Sequence, residues 1–262
     1  MRGSSASNSP SYLQWGTEGP VLVLLHYFGG EAASWQWVAP LLQTEYRCIA
    51  INLPGCGGTV PPAVLSLKHY SGFVQQLLTS LNIDRYTLIG HSMGAKIAMQ
   101  VAADVPQAIQ RLVLIAPSPP STEPLPEPDR QQSLSHRDSS ASAEETLNRI
   151  TIQLISEAQR QLFISSQLAT APAVWNWWLL TGMGASIAGA VQHIQAPVTV
   201  LSSSQDPVIT PQVIRERVAP FFPEAQFISS SNAGHLLPFE VPDWVADQVR
   251  TACRSSFTIN TL

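Results

Sequence analysis

Three side chains in this sequence have the types that acyl transfer by a serine requires: Ser92, Asp206 and His235. A serine hydroxyl is a weak nucleophile near neutral pH. It becomes effective when an imidazole takes its proton and a carboxylate holds that imidazole in the right tautomer. Ser92 lies in Gly90-His91-Ser92-Met93-Gly94, directly after the apolar run YTLIG (86–90) and before a segment with helical periodicity (93–103). Glycines two positions before and after the serine leave room for a sharp strand-to-helix turn that projects its Oγ. Asp206 follows the run PVTVLS (197–202), and His235 follows AQFIS (225–229), each a few residues past the end of an apolar run. Asp206 precedes Pro207, and Asp-Pro alone is as readily a turn starter. His235 competes with His26, His69, His91, His136 and His193, and a lone histidine is more often structural. Their matched placement after successive apolar runs selects Asp206 and His235. His91 should point away from Ser92 and support the turn.

Acyl transfer also needs N–H donors where the carbonyl oxygen becomes negative. The backbone of Met93, next after the nucleophile, is one candidate. The other is Phe28, in the loop His26-Tyr27-Phe28-Gly29-Gly30 that follows PVLVLL (20–25); the alternative is that this loop is only a glycine-containing turn.

These positions require elements to hold them. PVLVLL, RCIAINL (47–53), YTLIG, RLVLIA (111–116), PVTVLS and AQFIS are short aliphatic runs, the pattern of strands buried on both faces. Between them, residues 34–43, 66–81, 93–103, 211–218 and 242–253 carry apolar residues at helical spacing, with Pro211 and Pro242 suited to first turns. Alternation of this kind predicts an α/β fold with a mostly parallel sheet and helices on both faces.

Residues 117–190 break the alternation. A Pro- and Ser-rich stretch leads to residues 144–167, where Leu147, Ile150, Leu154, Ile155, Ala158 and Leu162 make one apolar face of a single expected helix. The stretch before Glu144 reads as mobile. PAVWNWWLL (172–180) then places three tryptophans within four residues. The predicted organisation is a core of residues 1–116 and 191–262 with a helical cap, 117–190, inserted between its halves.

Only 12% of residues are charged, the net charge is −4 and the 14 Lys and Arg are scattered, so there is no basic footprint for nucleic acid. Cys48, Cys56 and Cys253 form no ligand spacing and no disulfide framework. The polar beginning, whose first four residues read as an expression scar, lacks the apolar centre of a secretory signal, and no run approaches the roughly 18 apolar residues of a membrane span. The expectation is a cytoplasmic monomer or homodimer without stable membrane insertion, acting on a small hydrophobic molecule with no metal or cofactor.

Together the loop at 26–30, the run N-L-P-G-C-G-G-T (52–59), the turn GHSMG, the turn SQDP (204–207) and the pair Gly234-His235 make the chain, from about residue 22 to 249, resemble the α/β-hydrolase superfamily. The resemblance is to its capped single-domain serine hydrolases: esterases, cofactor-free haloperoxidases and carbon–carbon bond hydrolases. It implies an α/β-hydrolase fold, a helical cap after the strand that is sixth in the fold, and ester or related carbonyl hydrolysis. Three departures stand out. Tyr27 replaces the usual glycine after the loop histidine, which bears on the shape of the oxyanion loop. Asn52 and Thr59 replace an aspartate and a serine, which bears on local loop packing. Ser92 stands where haloalkane dehalogenases and epoxide hydrolases of the superfamily carry an aspartate, and so argues against both chemistries.

Trp175, Trp177, Trp178, Trp35, Trp37, Tyr27 and Phe28 are candidates to line an apolar chamber, with Tyr27 and Trp178 the expected substrate contacts, although for each ring simple packing competes. Three functions fit: a carboxylic-ester hydrolase, a carbon–carbon hydrolase or lyase with the same three residues and an anionic substrate, and a hydrophobic-ligand receptor with little turnover. Arg149 and Arg160 are the only well-placed cap cations, and helix exposure accounts for both.

Overall fold

The computed structural model of the protein describes residues 10–135 and 138–254; the polar start and His136 lie outside these. Among the described residues seven strands form one sheet: β1 (Tyr12–Trp15), β2 (Val21–Leu25), β3 (Arg47–Ile51), β4 (Tyr86–His91), β5 (Ile109–Ile115), β6 (Val198–Ser203) and β7 (Gln226–Ser230). Their order is β1-β3-β2-β4-β5-β6-β7, parallel throughout except for β1, which runs antiparallel to β3. All six apolar runs are strands. The seventh, β1, is a half-exposed edge strand of only four residues (YLQW), too short and too mixed to announce itself.

Ten α-helices accompany the sheet among the described residues: α1 (Ala39–Leu42), α2 (Leu67–Ser80), α3 (Met93–Asp104), α4 (Glu127–Ser135), α5 (Ser140–Ile150), α6 (Glu157–Ala169), α7 (Pro172–Trp177), α8 (Pro211–Val213), α9 (Leu237–Glu240) and α10 (Pro242–Arg254). Alternate strand residues feed two cores. Val23, Ile49, Leu88 and Leu112 pack with α2 and α3, whereas Leu22, Leu24, Ile89 and Val113 pack with α1 and α10. Both faces are covered, which is why the strands read as unbroken apolar runs.

Strand order places the crevice. The chain leaves β2 for β3 on one side, and β4 returns on the other, so the loops after β2 and β4 diverge at the carboxyl edge. Such a switch point is where open α/β sheets hold ligands. The loop after β2 contains Phe28 and the turn after β4 contains Ser92.

At that turn Ser92 adopts φ 55° and ψ −116°, a region costly for any side chain. Crowding explains the flanking glycines. A Cβ on Gly94 would strike the carbonyl oxygens of His26 and Leu25, and one on Gly90 would strike Gly94 O and the Ala95 backbone.

The helical segment between β5 and β6 follows the fifth strand of the seven present here. It is tied to three loops at the carboxyl edge: Phe28 packs on Trp175 with centroids 4.4 Å apart, Ala171 N donates to Gly55 O at 2.8 Å, and His235 N donates to Ile150 O at 2.7 Å. Two expectations for it change. The described part of the stretch expected to be mobile contains α4 and the start of α5, where Leu125 and Leu134 pack against the main core and the Trp175 indole N–H donates to Ser133 O. The single helix expected over 144–167 is two, α5 and α6. Ser156 and Gln159 form a capping box that starts α6 afresh, and Leu154, expected on the apolar face, is fully exposed in the break.

Because the elbow has no room for a methyl group, Gly94→Ala is expected to lower unfolding free energy by about 2–3 kcal/mol. Urea unfolding checks this; a midpoint equal to the parent's would contradict the steric account.

Candidate active site

The loops after β4, β6 and β7 bring the three predicted side chains together. Ser92 Oγ lies 3.0 Å from His235 Nε2, and His235 Nδ1 lies 2.8 Å from Asp206 Oδ2. With Nδ1–H donating to the carboxylate, Nε2 is left as the acceptor for the serine O–H. The other Asp206 oxygen, Oδ1, accepts the backbone N–H groups of Val208 (2.7 Å) and Ile209 (2.9 Å). The Asp-Pro turn reading and the functional reading thus describe one arrangement: the turn consumes one carboxylate oxygen and aims the other. Ser203 Oγ donates to Ala233 O, fastening the Asp206 loop to the His235 loop.

Burial and charge act in opposite directions on this pair. For His235, burial alone would lower the pKa, but the Asp206 charge and hydrogen bond, with Glu123 and Glu240 adding to them, raise it above its usual 6.5. For Asp206, burial alone would raise the pKa, and the imidazole with the two backbone donors brings it below the usual 3.8.

The other histidines near the edge stay neutral. His26 donates from Nδ1 to Tyr27 O (2.8 Å) and accepts Leu53 N at Nε2 (3.2 Å), and burial lowers its pKa to about 4. It therefore bridges the ends of β2 and β3. His91 donates from Nε2 to His235 O at 2.9 Å, and burial, then the neighbouring His235, lower its pKa to about 3. Its expected supporting role takes this form: it holds the backbone of His235, with ring centroids 5.3 Å apart.

Glu240 was not legible in the sequence. Its carboxylate accepts four backbone N–H groups: Gly234 (2.8 Å) and Leu236 (3.1 Å) on either side of His235, and Ile152 (2.8 Å) and Gln153 (3.1 Å) in the break between α5 and α6. Because every partner is main chain, no motif marks it. It clamps the His235 loop to the helical segment.

Met93 follows Ser92 directly, and Phe28 lines the same cavity as the serine. Met93 is buried at the start of α3, and Phe28 sits in a turn closed by Gly30 N donating to Tyr27 O at 3.0 Å. Among the described residues neither amide N–H has a backbone acceptor, which leaves both able to meet a ligand oxygen. Asn52 and Thr59 hold the neighbouring loops: Asn52 Oδ1 accepts Ala32 N (2.7 Å), and Thr59 Oγ1 donates to Cys56 O (2.7 Å) and accepts Gly55 N (3.0 Å).

A cavity of about 160 Å³ opens over Ser92 and His235. Its walls include Tyr27, Phe28, Trp175, Trp178, Phe163 and Met183, with Glu123 and Arg149 as its charged side chains among the described residues. Tyr27 and Trp178, the expected substrate contacts, are both in the wall. Trp35, Trp37 and Trp177 are not. Trp35 lies in the core on the α1 and α10 side, Trp37 packs on Phe239 and Trp177 on Tyr70, so for these three the packing alternative holds. Tyr27 stacks on Phe163 and meets Phe239 edge-on, with its hydroxyl buried beside Ser34 and Ser166.

A family model described as the alpha/beta hydrolase fold matches residues 20–149. An uncharacterised protein of Mycobacterium bovis is 36% identical over 99 residues, 37% of this chain and 29% of that protein, so the match spans under a third of that relative's length. A pimeloyl-[acyl-carrier protein] methyl ester esterase of Nitrosomonas europaea is 24% identical over 229 residues, covering 83% of this chain and 89% of the relative. An esterase from Exiguobacterium antarcticum superposes with a TM-score of 0.83 at 15% identity, covering 93% of this chain and 95% of that one. With the sheet order and the turn after β4, these show that the chain has the α/β-hydrolase fold. None of the described helices is long and apolar enough to cross a membrane.

Two outcomes follow from the geometry. Neutral His235 is the form able to take the serine proton, and its pKa is raised, so kcat/KM for an activated ester should climb through an apparent pKa above 6.5 and then level off. The linked stabilisation runs the other way: it is complete below 6.5 and lost as pH rises through the folded-state value. A pH–rate profile with its acid limb below 6.5 would contradict the assignment. Glu240→Gln, which replaces one acceptor oxygen by an amide donor, should reduce kcat about 10- to 100-fold with little change in KM, and should move that acid limb downward because the charge raising the His235 pKa is gone. An unmoved limb would reduce Glu240 to a purely structural role.

Proposed function

We propose that this protein is a serine hydrolase that cleaves a carboxylic ester or related carbonyl of a small, largely hydrophobic substrate through an acyl-enzyme. The observation that carries the reading is the continuous relay from Ser92 through His235 to Asp206 at the floor of an aromatic-walled cavity. In this reading His235 takes the Ser92 proton as Oγ attacks the carbonyl. Met93 and Phe28 N–H groups receive the developing oxyanion. His235 then returns the proton to the leaving alcohol, and water repeats the cycle on the acyl-enzyme. Residues 117–190 act as the cap, and Tyr27 and Trp178 contact the substrate. No step requires a cofactor.

Size favours a short substrate. A cavity near 150 Å³ holds a benzene-sized group, so about 160 Å³ suits an acyl chain of roughly four to six carbons or one aromatic ring. Arg149 favours a second reading, in which the same residues cleave a carbon–carbon bond or eliminate a small acid from an anionic substrate, because a cation lines the cavity where such a substrate would need one. A soluble protein that meets its substrate without nucleic acid or a stable membrane partner, as a monomer or homodimer in the cytoplasm, completes the proposal.

Purified protein should release a burst of p-nitrophenol from the butyrate ester. Ser92→Ala should remove the burst and lower kcat by at least about 10⁴-fold, and Asp206→Asn by about 10³–10⁴-fold. Parent protein inert to short esters and to a fluorophosphonate probe would overturn the reading, and a preference for carboxylate-bearing over neutral esters would favour the second.

A further inference from the structure

Glu123 is the carboxyl group in the cavity wall among the described residues, and it sits in an unfavourable place. It is 8% exposed; burial raises its pKa, opposed chiefly by the Ser118 hydroxyl beside it and by the charge of Lys96, and its own backbone N–H donates to Met183 O at 2.9 Å. Ser118 Oγ is fully buried and has Glu123 as its neighbour, so a single hydroxyl is the side-chain donor beside a carboxylate able to accept several. A buried carboxylate whose acceptor capacity is only partly used carries a desolvation cost that a further donor would offset.

Lys96 does not resolve this. Its fully buried ammonium on α3 donates to Ser121 O (3.1 Å) and Met183 O (3.0 Å) and makes no ion-pair contact with Glu123. Lys96 does feel the carboxylate at longer range, and burial still lowers its pKa to about 8. A carboxylate and an ammonium nearby leave the region close to neutral, so the cavity has an open acceptor without an excess of negative charge. That combination suits a neutral donor better than a cation. The carboxylate also bears electrostatically on His235, which places it within reach of a substrate seated on the serine.

We propose that Glu123 is the specificity-determining residue of the cavity, accepting a hydrogen bond from a hydroxyl or amide N–H that the substrate carries a few atoms from its scissile carbonyl. The proposal rests on the ester-hydrolase reading and narrows it: the preferred substrate is a short acyl ester bearing a polar donor, not a plain alkyl ester. A site built to receive a donor discriminates against the analogue lacking it, because the acceptor is then left stranded.

Two matched pairs test it: p-nitrophenyl 3-hydroxybutyrate against p-nitrophenyl butyrate, which places the hydroxyl on the acyl side, and 2-hydroxyethyl butyrate against propyl butyrate, which places it on the alcohol side. The parent should favour the hydroxylated member of at least one pair by about tenfold or more in kcat/KM. Glu123→Leu should abolish that preference, read as the ratio of kcat/KM within each pair at one pH whatever the absolute rates become, and Glu123→Gln, which keeps an acceptor oxygen, should retain part of it. If Glu123→Leu folds poorly, the Gln variant and the double variant with Lys96→Met, which strands no ammonium, carry the comparison. Equal rates within both pairs in the parent, or a preference surviving in both Glu123→Leu and its Lys96→Met double variant, would overturn the proposal and leave ester hydrolysis standing. Absence of turnover on all four esters would instead remove the hydrolase reading. A preference for an ammonium-bearing ester over its hydroxyl counterpart would overturn the assignment of a neutral donor.

Discussion

An imidazole has two nitrogens, and here each must meet a different loop: a carboxylate after β6 at 2.8 Å and a hydroxyl after β4 at 3.0 Å. Errors of 1 Å at either end would break the relay, so the backbone of His235 has to be fixed more firmly than loops usually are. The structure does this by accounting for the main chain around the residue. The His235 N–H goes to Ile150 O, its carbonyl oxygen receives the His91 ring, and the N–H groups on both sides go to Glu240. With those four groups committed, little is left to vary except the side-chain torsions.

Two of those commitments reach into the segment between β5 and β6, and this couples the base to the roof of its own cavity. Ile150 ends α5, and the Glu240 carboxylate that brackets His235 also takes Ile152 and Gln153. The break between α5 and α6 therefore has a structural purpose: a continuous helix would have used those two N–H groups internally and left nothing for Glu240 to hold. Strain at Ser92 is compensated in a comparable way. Its N–H donates to Ile115 O, its carbonyl oxygen accepts Ser118 N, and the strand beneath it, β4, is buried along its whole length. A backbone penalty of roughly 1–3 kcal/mol is small beside what that burial contributes.

Much of this was legible in the sequence because it rests on period and composition. Strands buried on both faces announce themselves as aliphatic runs, and each reactive side chain lies just past such a run, so Ser92, Asp206 and His235 could be chosen before any geometry. The illegible parts share a cause. Strand β1 is half-exposed, so burial wrote no pattern into it. Glu240 binds only backbone, which has no sequence. Glu123 lies in a Pro-rich stretch that reads as mobile until Leu125 and Leu134 are seen to anchor it. The helix break did have a signal, Ser156 with Gln159 three residues on, but an apolar period running through Leu154 and Ile155 concealed it.

The three buried histidines at this edge show how surroundings divide one chemistry into separate roles. His26 and His91 are enclosed without a carboxylate partner, so burial dominates, and they remain neutral down to about pH 4 and pH 3. They act as fixed donors that tie loops. His235 is equally enclosed, but Asp206 stands against it, and the charged form is favoured instead. Between pH 6.5 and 4 the unfolded chain binds two protons that folded His26 and His91 do not, so acidification across that window costs about 1.4 kcal/mol per pH unit for each. His235, with its folded-state pKa raised, supplies its stabilisation in full below 6.5 and withdraws it only as pH rises through that higher value. The neutral base that the relay requires and the relief of the two tethering histidines both lie on the alkaline side of 6.5, so the conditions that make His235 competent are those in which the loops around it are held without an acid penalty.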